Sequence, residues 1–425
     1  MSNKIIWFRN DLRTNDHEAL HQCSNQKQPV IGIYCFDAKL FQKHRLGFAN
    51  AGNQRLNFLL ASLSYLKKEM QNLGSDLLIY QEAAHKVIPR VCNALQIEEI
   101  FWQQLPGTAE EREATLVQTE IKKLNIRAKT YWDSTLTSIS QMPFSIEHLP
   151  DLFTTFKNRV EPRMAPAVPL PKPKQLIGIK HELSQQELPN FTTPPVLNNW
   201  FSLKGGEDEA LLRLNEYTWE NNAIQNYKET RNGLIGKDYS SKLSPYLALG
   251  CISARQVYKE VKDYEHAVIS NASTYWLIYE LIWRDYFKWI LVKYGSKLFQ
   301  PNGLQPMPWP WKNDKVKFER WRLGETGQAF IDANMRELLH TGFMSNRGRQ
   351  NVASYLCKDL GINWLWGAAW FESQLIDYDA SSNYGNWAYQ AGVGNDARSD
   401  RKFNPVKQAE NYDPKKEYVS FWLNQ

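Results

Sequence analysis

Thr341-Gly342-Phe343-Met344-Ser345-Asn346-Arg347-Gly348-Arg349-Gln350-Asn351 is followed by Gln374-Leu375-Ile376-Asp377-Tyr378-Asp379 and then by Asn383-Tyr384-Gly385-Asn386-Trp387. These stretches set amides, arginines, two aspartates and a tryptophan into a region that is otherwise apolar and aromatic. Buried polar groups are expensive unless each finds a partner. So many together suggest a large polar ligand held among helices. Asn346 and Arg349 lie three apart and share one helical face. With Asp377 and Asp379 on a loop or helix end, they suggest an Arg349–carboxylate pair beside a flat heterocycle. The Asp-x-Asp spacing also suits a metal, but no His or further carboxylate clusters with it, and no metal is expected.

Outward from this run the pattern is almost wholly helical. Helices are expected at Glu207–Asn222, Tyr275–Tyr294, Thr326–Leu339, Arg347–Leu360 and Trp364–Leu375. In Glu280-Leu281-Ile282-Trp283-Arg284, residues Glu280, Trp283 and Arg284 fall on one face. The flanking Trp276, Leu277, Phe287 and Trp289 favour burial, and a charge pair among that many rings needs a polar ligand or partner. Tyr239-Ser240-Ser241-Lys242-Leu243-Ser244-Pro245 reads as a helix start, with Ser244 as cap and Pro245 in the first turn. Such a start can also hold an anion.

The N-terminal third reads differently. Lys4–Phe8, Pro29–Phe36, Asp76–Tyr80 and Glu99–Trp102 are short apolar runs, expected as buried strands. Between them Asn53–Leu73 and Glu110–Leu124 show helical spacing, with Asn125 as a stop. Strands alternating with helices argue an α/β, doubly wound parallel sheet, which binds ligands at the C-terminal ends of its strands. Pro162–Pro195 is rich in proline and cannot form regular structure over much of its length. The expected organisation is an α/β domain over 1–132, a linker over 133–200 and a helical domain over 201–425.

Bulk properties fit a soluble globular chain of 425 residues, with 43% hydrophobic and 23% charged residues. A net charge of +6 is weak support for an anionic partner. Five cysteines without CxxC spacing point to no disulfide framework or zinc site and fit a reducing compartment. No segment reads as a signal peptide or membrane span, so a cytoplasmic, monomeric, bacterial-type protein is expected. Of 16 tryptophans, 12 lie from Trp219 onward. Packing alone accounts for such a cluster; a redox or stacking site is the sharper alternative.

Taken in order, these motifs resemble the photolyase/cryptochrome family over essentially the whole chain. Ile6-Trp7-Phe8-Arg9-Asn10-Asp11-Leu12-Arg13 with Asp16 matches the family's opening strand and loop. SSKLSPYLALG, ELIWRDYF, TGFMSNRGRQNVASYL and QLIDYDASSNYGNW match its flavin-binding half. Asn346–Asn351, Asn386-Trp387-Ala388-Tyr389, Ala391–Asp396 and Leu152–Phe156 are similar to the DASH-type cryptochromes.

The resemblance implies FAD, folded within the helical domain. It implies that Tyr227 and Ser240, Ser241, Lys242, Leu243 and Ser244 hold the phosphates. Glu280, Arg284, Asn346, Arg349, Asp377, Asp379 and Asn383 would surround the flavin and adenine, with Asn383 facing flavin N5. Trp387, Trp364 and Trp311 match the family's electron-transfer chain. The implied activity is blue-light-driven repair of cyclobutane pyrimidine dimers in DNA, by electron transfer from excited reduced flavin to a dimer flipped into a cavity. There Glu280, Trp283 and Asn346 would hold the dimer. Glu280, Trp283, Asn346 and Asn383 are the implied catalytic set.

Two departures matter. Gln350 and Tyr389 stand where duplex-repairing bacterial photolyases carry Met and Trp, and both line the implied dimer cavity. A more polar cavity with a weaker stacking wall offsets less of the unpairing of a duplex, which implies a preference for single-stranded or loop DNA. Gln103-Gln104-Leu105-Pro106-Gly107-Thr108 lacks the acidic residue by which the family grips a folate antenna (methenyltetrahydrofolate). Glu110 and Glu111 follow, and antenna binding is in question. Arg398, Arg401 and Lys402 are candidate phosphate contacts, as readily a solvated loop. Ser345 and Asn346, rather than a histidine, occupy the cavity position that a (6-4) lesion lyase needs; His340 is at the wrong step. The alternative is a non-catalytic blue-light photoreceptor that signals through flavin redox state; the end of the sequence at Gln425, without a long tail, weighs against it.

Overall fold

In a computed structural model, residues 2–183, 203–306, 310–395 and 402–425 are described. Five strands, β1 (Asn3–Trp7), β2 (Pro29–Cys35), β3 (Leu77–Tyr80), β4 (Ile97–Gln103) and β5 (Arg127–Tyr131), form a parallel sheet in the order β3-β2-β1-β4-β5. The central strands are apolar on both faces because helices cover both. Ile5 pairs Ile31 on one side and Ile100 on the other. A sixth short strand, β6 (Ile177–Gly178), comes from the expected linker and pairs with the start of β2. That linker also holds a helix, Phe153–Val160, whose Phe153, Phe156 and Val160 are buried in the main core. Its PNFTTPP portion lies outside the described residues.

The helices Asn53–Asn72 and Thr108–Lys123 fall where expected, and Asn125 turns left-handed (φ 56°) just beyond the second. The expected helix at Glu207–Asn222 is α-helical only to Asn215, and then widens into a π-turn at Glu216–Glu220. Arg347–Leu360 likewise becomes Asn346–Ser354 followed by a π-turn at Tyr355–Asp359. In the helical half, Asn271 caps the long helix Ala272–Tyr294 by accepting from the N–H groups of Ser273 and Thr274 at 2.8 and 3.0 Å. Most of this helix is buried, and the charged groups it carries inward, Glu280, Arg284, Asp285 and Lys288, each meet a partner from another part of the chain.

The loop after β1 joins the two halves. Asp16 accepts from Nε and Nη2 of Arg255, each at 2.9 Å. Glu207 accepts from the backbone of Thr14 and Asn15 at 2.7 and 2.9 Å. Leu12 N–H donates to Leu249 O at 3.1 Å. At Gly250 (φ +69°) a Cβ would lie 2.1 Å from Asn10 O, so the two chains approach as closely as glycine permits. The opening motif thus builds the seam between sheet and helices.

Candidate functional site

The cavity lies inside the helical half, in two adjoining lobes of about 250 and 550 Å³. Taken together they are in the range of about 300–1,000 Å³ typical of pockets that hold cofactors and substrates. Three helices set its walls. Ser345 caps Asn346–Ser354 by accepting from Gly348 N–H at 3.0 Å, and the helix turns Asn346, Arg349 and Gln350 into the cavity. Asp379 caps Ala380–Ala391 by accepting from Ser382 N–H at 2.8 Å, and that helix presents Asn383, Asn386, Trp387 and Gln390 at helical spacing. The long helix supplies Glu280, Trp283 and Arg284.

Tyr227, Ser240, Ser241, Lys242, Leu243 and Ser244 line the smaller lobe. So do Asn346, Arg349, Asp377, Asp379, Asn383 and Trp387. Trp283, Arg284 and Tyr389 line only the larger lobe. Glu280, Asn346 and Gln350 line both, so each of the expected cofactor and substrate residues faces one connected space. Trp364 and Trp311 line neither lobe. They belong to a second core that also holds Trp387, and both indoles donate to Pro301 O, at 3.0 and 2.7 Å.

The expected Arg349–carboxylate pair is with Asp377, and it is bidentate at 3.0 and 2.7 Å. Asp379 pairs instead with the fully buried Lys288 at 2.8 Å. Burial alone would raise the Asp379 carboxyl; Lys288 and Arg284 outweigh it and hold the group below the usual carboxylate range. Lys242 has its ammonium 3.4 Å from the Tyr239 ring centre and 4.6 Å from that of Phe343. Burial lowers it to about 7, with Glu337 opposing. Asn383 Nδ2 donates to Ala368 O at 3.0 Å, which leaves the amide oxygen for the cavity.

Two expectations need correction. Ser244 does not cap: it sits in the first turn of Ser244–Leu249, and its hydroxyl donates to Asp377 at 2.6 Å. Capping is a local reading, and a buried carboxylate brought in from 133 residues away is the stronger acceptor. Glu280 is not paired with Arg284 on its own helix face. It accepts from Arg231 at 2.8 Å and from the Trp276 indole at 3.1 Å, while burial raises its carboxyl. Arg284 donates to the carbonyls of Ser134 and Leu247, its guanidinium edges being turned away from Glu280.

Arg231, Trp276, Lys288 and Gln390 are site residues that sequence reasoning missed. Arg231 and Lys228 both lie over the Trp276 ring, at 5.2 and 5.0 Å. Gln390 had a signal: it follows Asn383 by seven residues on the same face. Its Oε1 is buried with no hydrogen-bond partner among the described residues, the mark of a wall that expects a polar ligand. Phe153 stacks on Trp283 with ring centres 3.5 Å apart, and Tyr389 meets that indole edge-on at 6.0 Å. Gln350 accepts from Arg347 at 3.0 Å. Lys402 pairs with Asp359 at 2.8 Å; Arg398 and Arg401 lie outside the described residues. Among the described residues no group of three or more His, Cys, Asp and Glu side chains is placed to hold a metal.

Residues 4–174 match the family described as DNA photolyase, and residues 276–425 match the FAD binding domain of DNA photolyase. Cryptochrome DASH of Synechocystis sp. is 48% identical over 433 residues, covering 99% of this chain and 87% of the relative. The chain belongs to the photolyase/cryptochrome family. Within it, this chain groups with proteins named cryptochrome DASH; that of Xenopus laevis is 43% identical, with 99% and 82% covered. A crystal structure of a Synechocystis sp. PCC6803 cryptochrome superposes with a TM-score of 0.96 at 45% identity, covering 100% of this chain and 89% of that one. The helical half of this family member is therefore an FAD-binding domain, and the cavity's orphaned amide, bidentate arginine and committed carboxylates suit a large polar heterocycle. No helix among the described residues is long and apolar enough to cross a membrane.

At the sheet's C-terminal edge, where β1 and β4 part, the crevice is filled by side chains of this chain. Arg9 donates to Gln103 O and Glu110 O at 3.4 and 2.9 Å. A carboxylate oxygen of Glu110 lies 2.2 Å from where a Gly107 Cβ would be, so this acid folds back onto its own turn. Burial pushes it up to about 7.

Proposed function

We propose that this chain is a blue-light-driven, FAD-dependent lyase that splits cyclobutane pyrimidine dimers, chiefly in single-stranded or looped DNA. The observation that carries the reading is the shared wall of the two lobes. Glu280, Asn346 and Gln350 face both the lobe suited to the cofactor and the wider lobe beside it. A substrate in the second lobe is thereby adjacent to a heterocycle in the first.

Ser240, Ser241, Ser244, Tyr227 and Lys242 would hold the pyrophosphate, and Arg349, Asp377, Asp379 and Asn383 the flavin and adenine, which Arg284 would approach from the wider lobe. When bound and reduced, FAD would supply the light-driven, reversible one-electron chemistry. The protein's own work is positional and electrostatic. Glu280 presents a carboxyl that burial makes easier to protonate, so it can donate to a base carbonyl as charge builds there. Arg231 and Trp276 hold it in place. Asn383 offers an oxygen acceptor to the N–H of a reduced ring. Trp387 on the cavity wall, with Trp364 and Trp311 in the same core, would carry electrons inward to activate the cofactor.

Single-strand preference follows from Gln350 and Tyr389. Gln350 is a polar wall tied to Arg347, and Tyr389 offers less stacking area than an indole. Removing a base pair from a duplex draws on stacking worth about 1–3 kcal/mol per base, and this wall supplies less of it. A second reading, a photoreceptor without lyase activity, draws on one observation: Phe153 already covers one face of Trp283. The test is blue-light repair of a thymine dimer in a single-stranded oligonucleotide by purified, reduced holoprotein. Restored thymines support the lyase; no repair by protein that binds and photoreduces FAD favours the receptor. No antenna role is assigned to the crevice at β1 and β4, which Arg9 and Glu110 occupy.

A further inference from the structure

Trp364 has two different oxidisable neighbours. One is Trp311, which shares Pro301 O with it as acceptor. The other is Tyr384, whose ring meets Trp364 edge-on at 6.2 Å with an interplanar angle of 75°. The Tyr384 hydroxyl donates to Glu372 Oε2 at 2.9 Å. Both Tyr384 and Glu372 are half-buried, and Phe299 shields the phenol ring at 4.7 Å.

We propose that Tyr384 and Glu372 form a second, proton-coupled exit from the tryptophan chain, branching at Trp364. The proposal rests on the reading of Trp387 and Trp364 as the path inward. With oxidised FAD bound, light excitation would draw an electron from Trp387, and Trp387 would be refilled from Trp364. The oxidised Trp364 then takes one electron from Tyr384, and the phenolic proton moves from Tyr384 Oη to Glu372 Oε2. The products are a neutral indole, a neutral phenoxyl radical and a protonated Glu372, so one electron and one proton are each accounted for.

The chemistry separates the two exits. An oxidised phenol is a very strong acid, so tyrosine gives up an electron readily only where a base takes the proton at once. A donor–acceptor distance within about 2.6–3.2 Å meets that need, and Glu372 lies inside it. Trp311 donates its N–H to a backbone carbonyl, which is no useful base. The Tyr384 phenol itself is held well above its ordinary value, by burial first and then by Glu372 and Glu110, with Arg45 opposing. It therefore enters the step protonated.

The experiment is flash excitation of holoprotein carrying oxidised FAD, reading the separate absorption bands of indole and phenoxyl radicals. In the wild-type protein the indole signal should give way in part to a phenoxyl signal, more slowly in heavy water. Tyr384→Phe should remove the phenoxyl signal and leave the indole signal. Glu372→Gln, which keeps the ring and a hydrogen-bond partner, should remove the phenoxyl signal or delay it. Trp311→Phe should lower net photoreduction while raising the phenoxyl yield. A wild type with no phenoxyl signal, or one that survives Tyr384→Phe, overturns the proposal. Failure of the underlying chain looks different: Trp364→Phe would then leave the indole signal and photoreduction intact.

Discussion

Asp377→Asn removes the carboxylate that joins three elements at the cavity floor while keeping its volume. In the protein, Asp377 receives both terminal nitrogens of Arg349 and the Ser244 hydroxyl, with its side chain 2% exposed and that of Arg349 25% exposed. An amide can accept from one guanidinium edge but turns an N–H toward the other. One charge-assisted hydrogen bond, worth about 1.5–3 kcal/mol, is lost. The guanidinium also loses its counter-charge. Breaking a fully buried pair costs about 3–5 kcal/mol, and the exposed quarter of Arg349 is screened, which lowers the total to ~2–4 kcal/mol. Guanidinium unfolding of the protein without added FAD, followed by tryptophan fluorescence, should show that loss. Arg349→Gln combined with Asp377→Asn should recover part of it, with a coupling of about 1–3 kcal/mol. A single-variant loss below ~1 kcal/mol, or no coupling, would mean that solvent screens the pair and that it is no structural floor. The same variant should lose FAD on gel filtration, since both residues line the smaller lobe.

Three further outcomes are expected. Burial lifts the Asp285 carboxyl from 3.8 to about 7, against Arg284 and the N–H groups of Thr137 and Leu136. Uptake of that proton favours the fold fully below about pH 4, and the contribution is lost as pH rises through about 7. Asp285→Asn should therefore match the wild type below about pH 4 and exceed it near pH 8 by ~2–4 kcal/mol; a pH-independent difference would contradict this. A Cβ at Gly367 would lie 2.2 Å from Trp387 Cη2 and 2.6 Å from Leu356 Cδ2. Gly367→Ala should cost about 1–3 kcal/mol by overpacking, more than the ~1 kcal/mol gained in helix propensity, and should slow FAD photoreduction; a raised melting temperature would count against it. Glu280→Ala should lower dimer repair by about ten-fold or more while FAD stays bound, and unchanged repair would remove Glu280 from the site.

Much of this was legible in the sequence because it is carried by contiguous motifs. The central strands are buried on both faces and read as apolar runs, and the cavity walls come from short stretches with helical spacing. The edge strand Arg127–Tyr131 was not legible, because four of its five residues are exposed and it carries no apolar run. The helix Ala84–Ala94 is interrupted in pattern by Pro89 and is likewise not legible from spacing. Partner identity failed for a different reason. Glu280 has a charge of opposite sign four residues away, yet its partner Arg231 lies 49 residues away, and Lys288 reaches Asp379 across 91. Local spacing cannot rank such contacts, which the packing of the helices decides. Ser244 shows the same limit, with a side chain suited to a cap drawn off by a distant carboxylate.

The most direct test of the central claim is single-turnover repair of one defined thymine dimer, presented in a single strand, in a loop and in a perfect duplex. Reduced holoprotein under blue light should restore the thymines in the first two and leave the duplex essentially unrepaired. Equal repair of all three would contradict the role given to Gln350 and Tyr389, and repair of none, with FAD bound and photoreducible, would contradict the lyase itself.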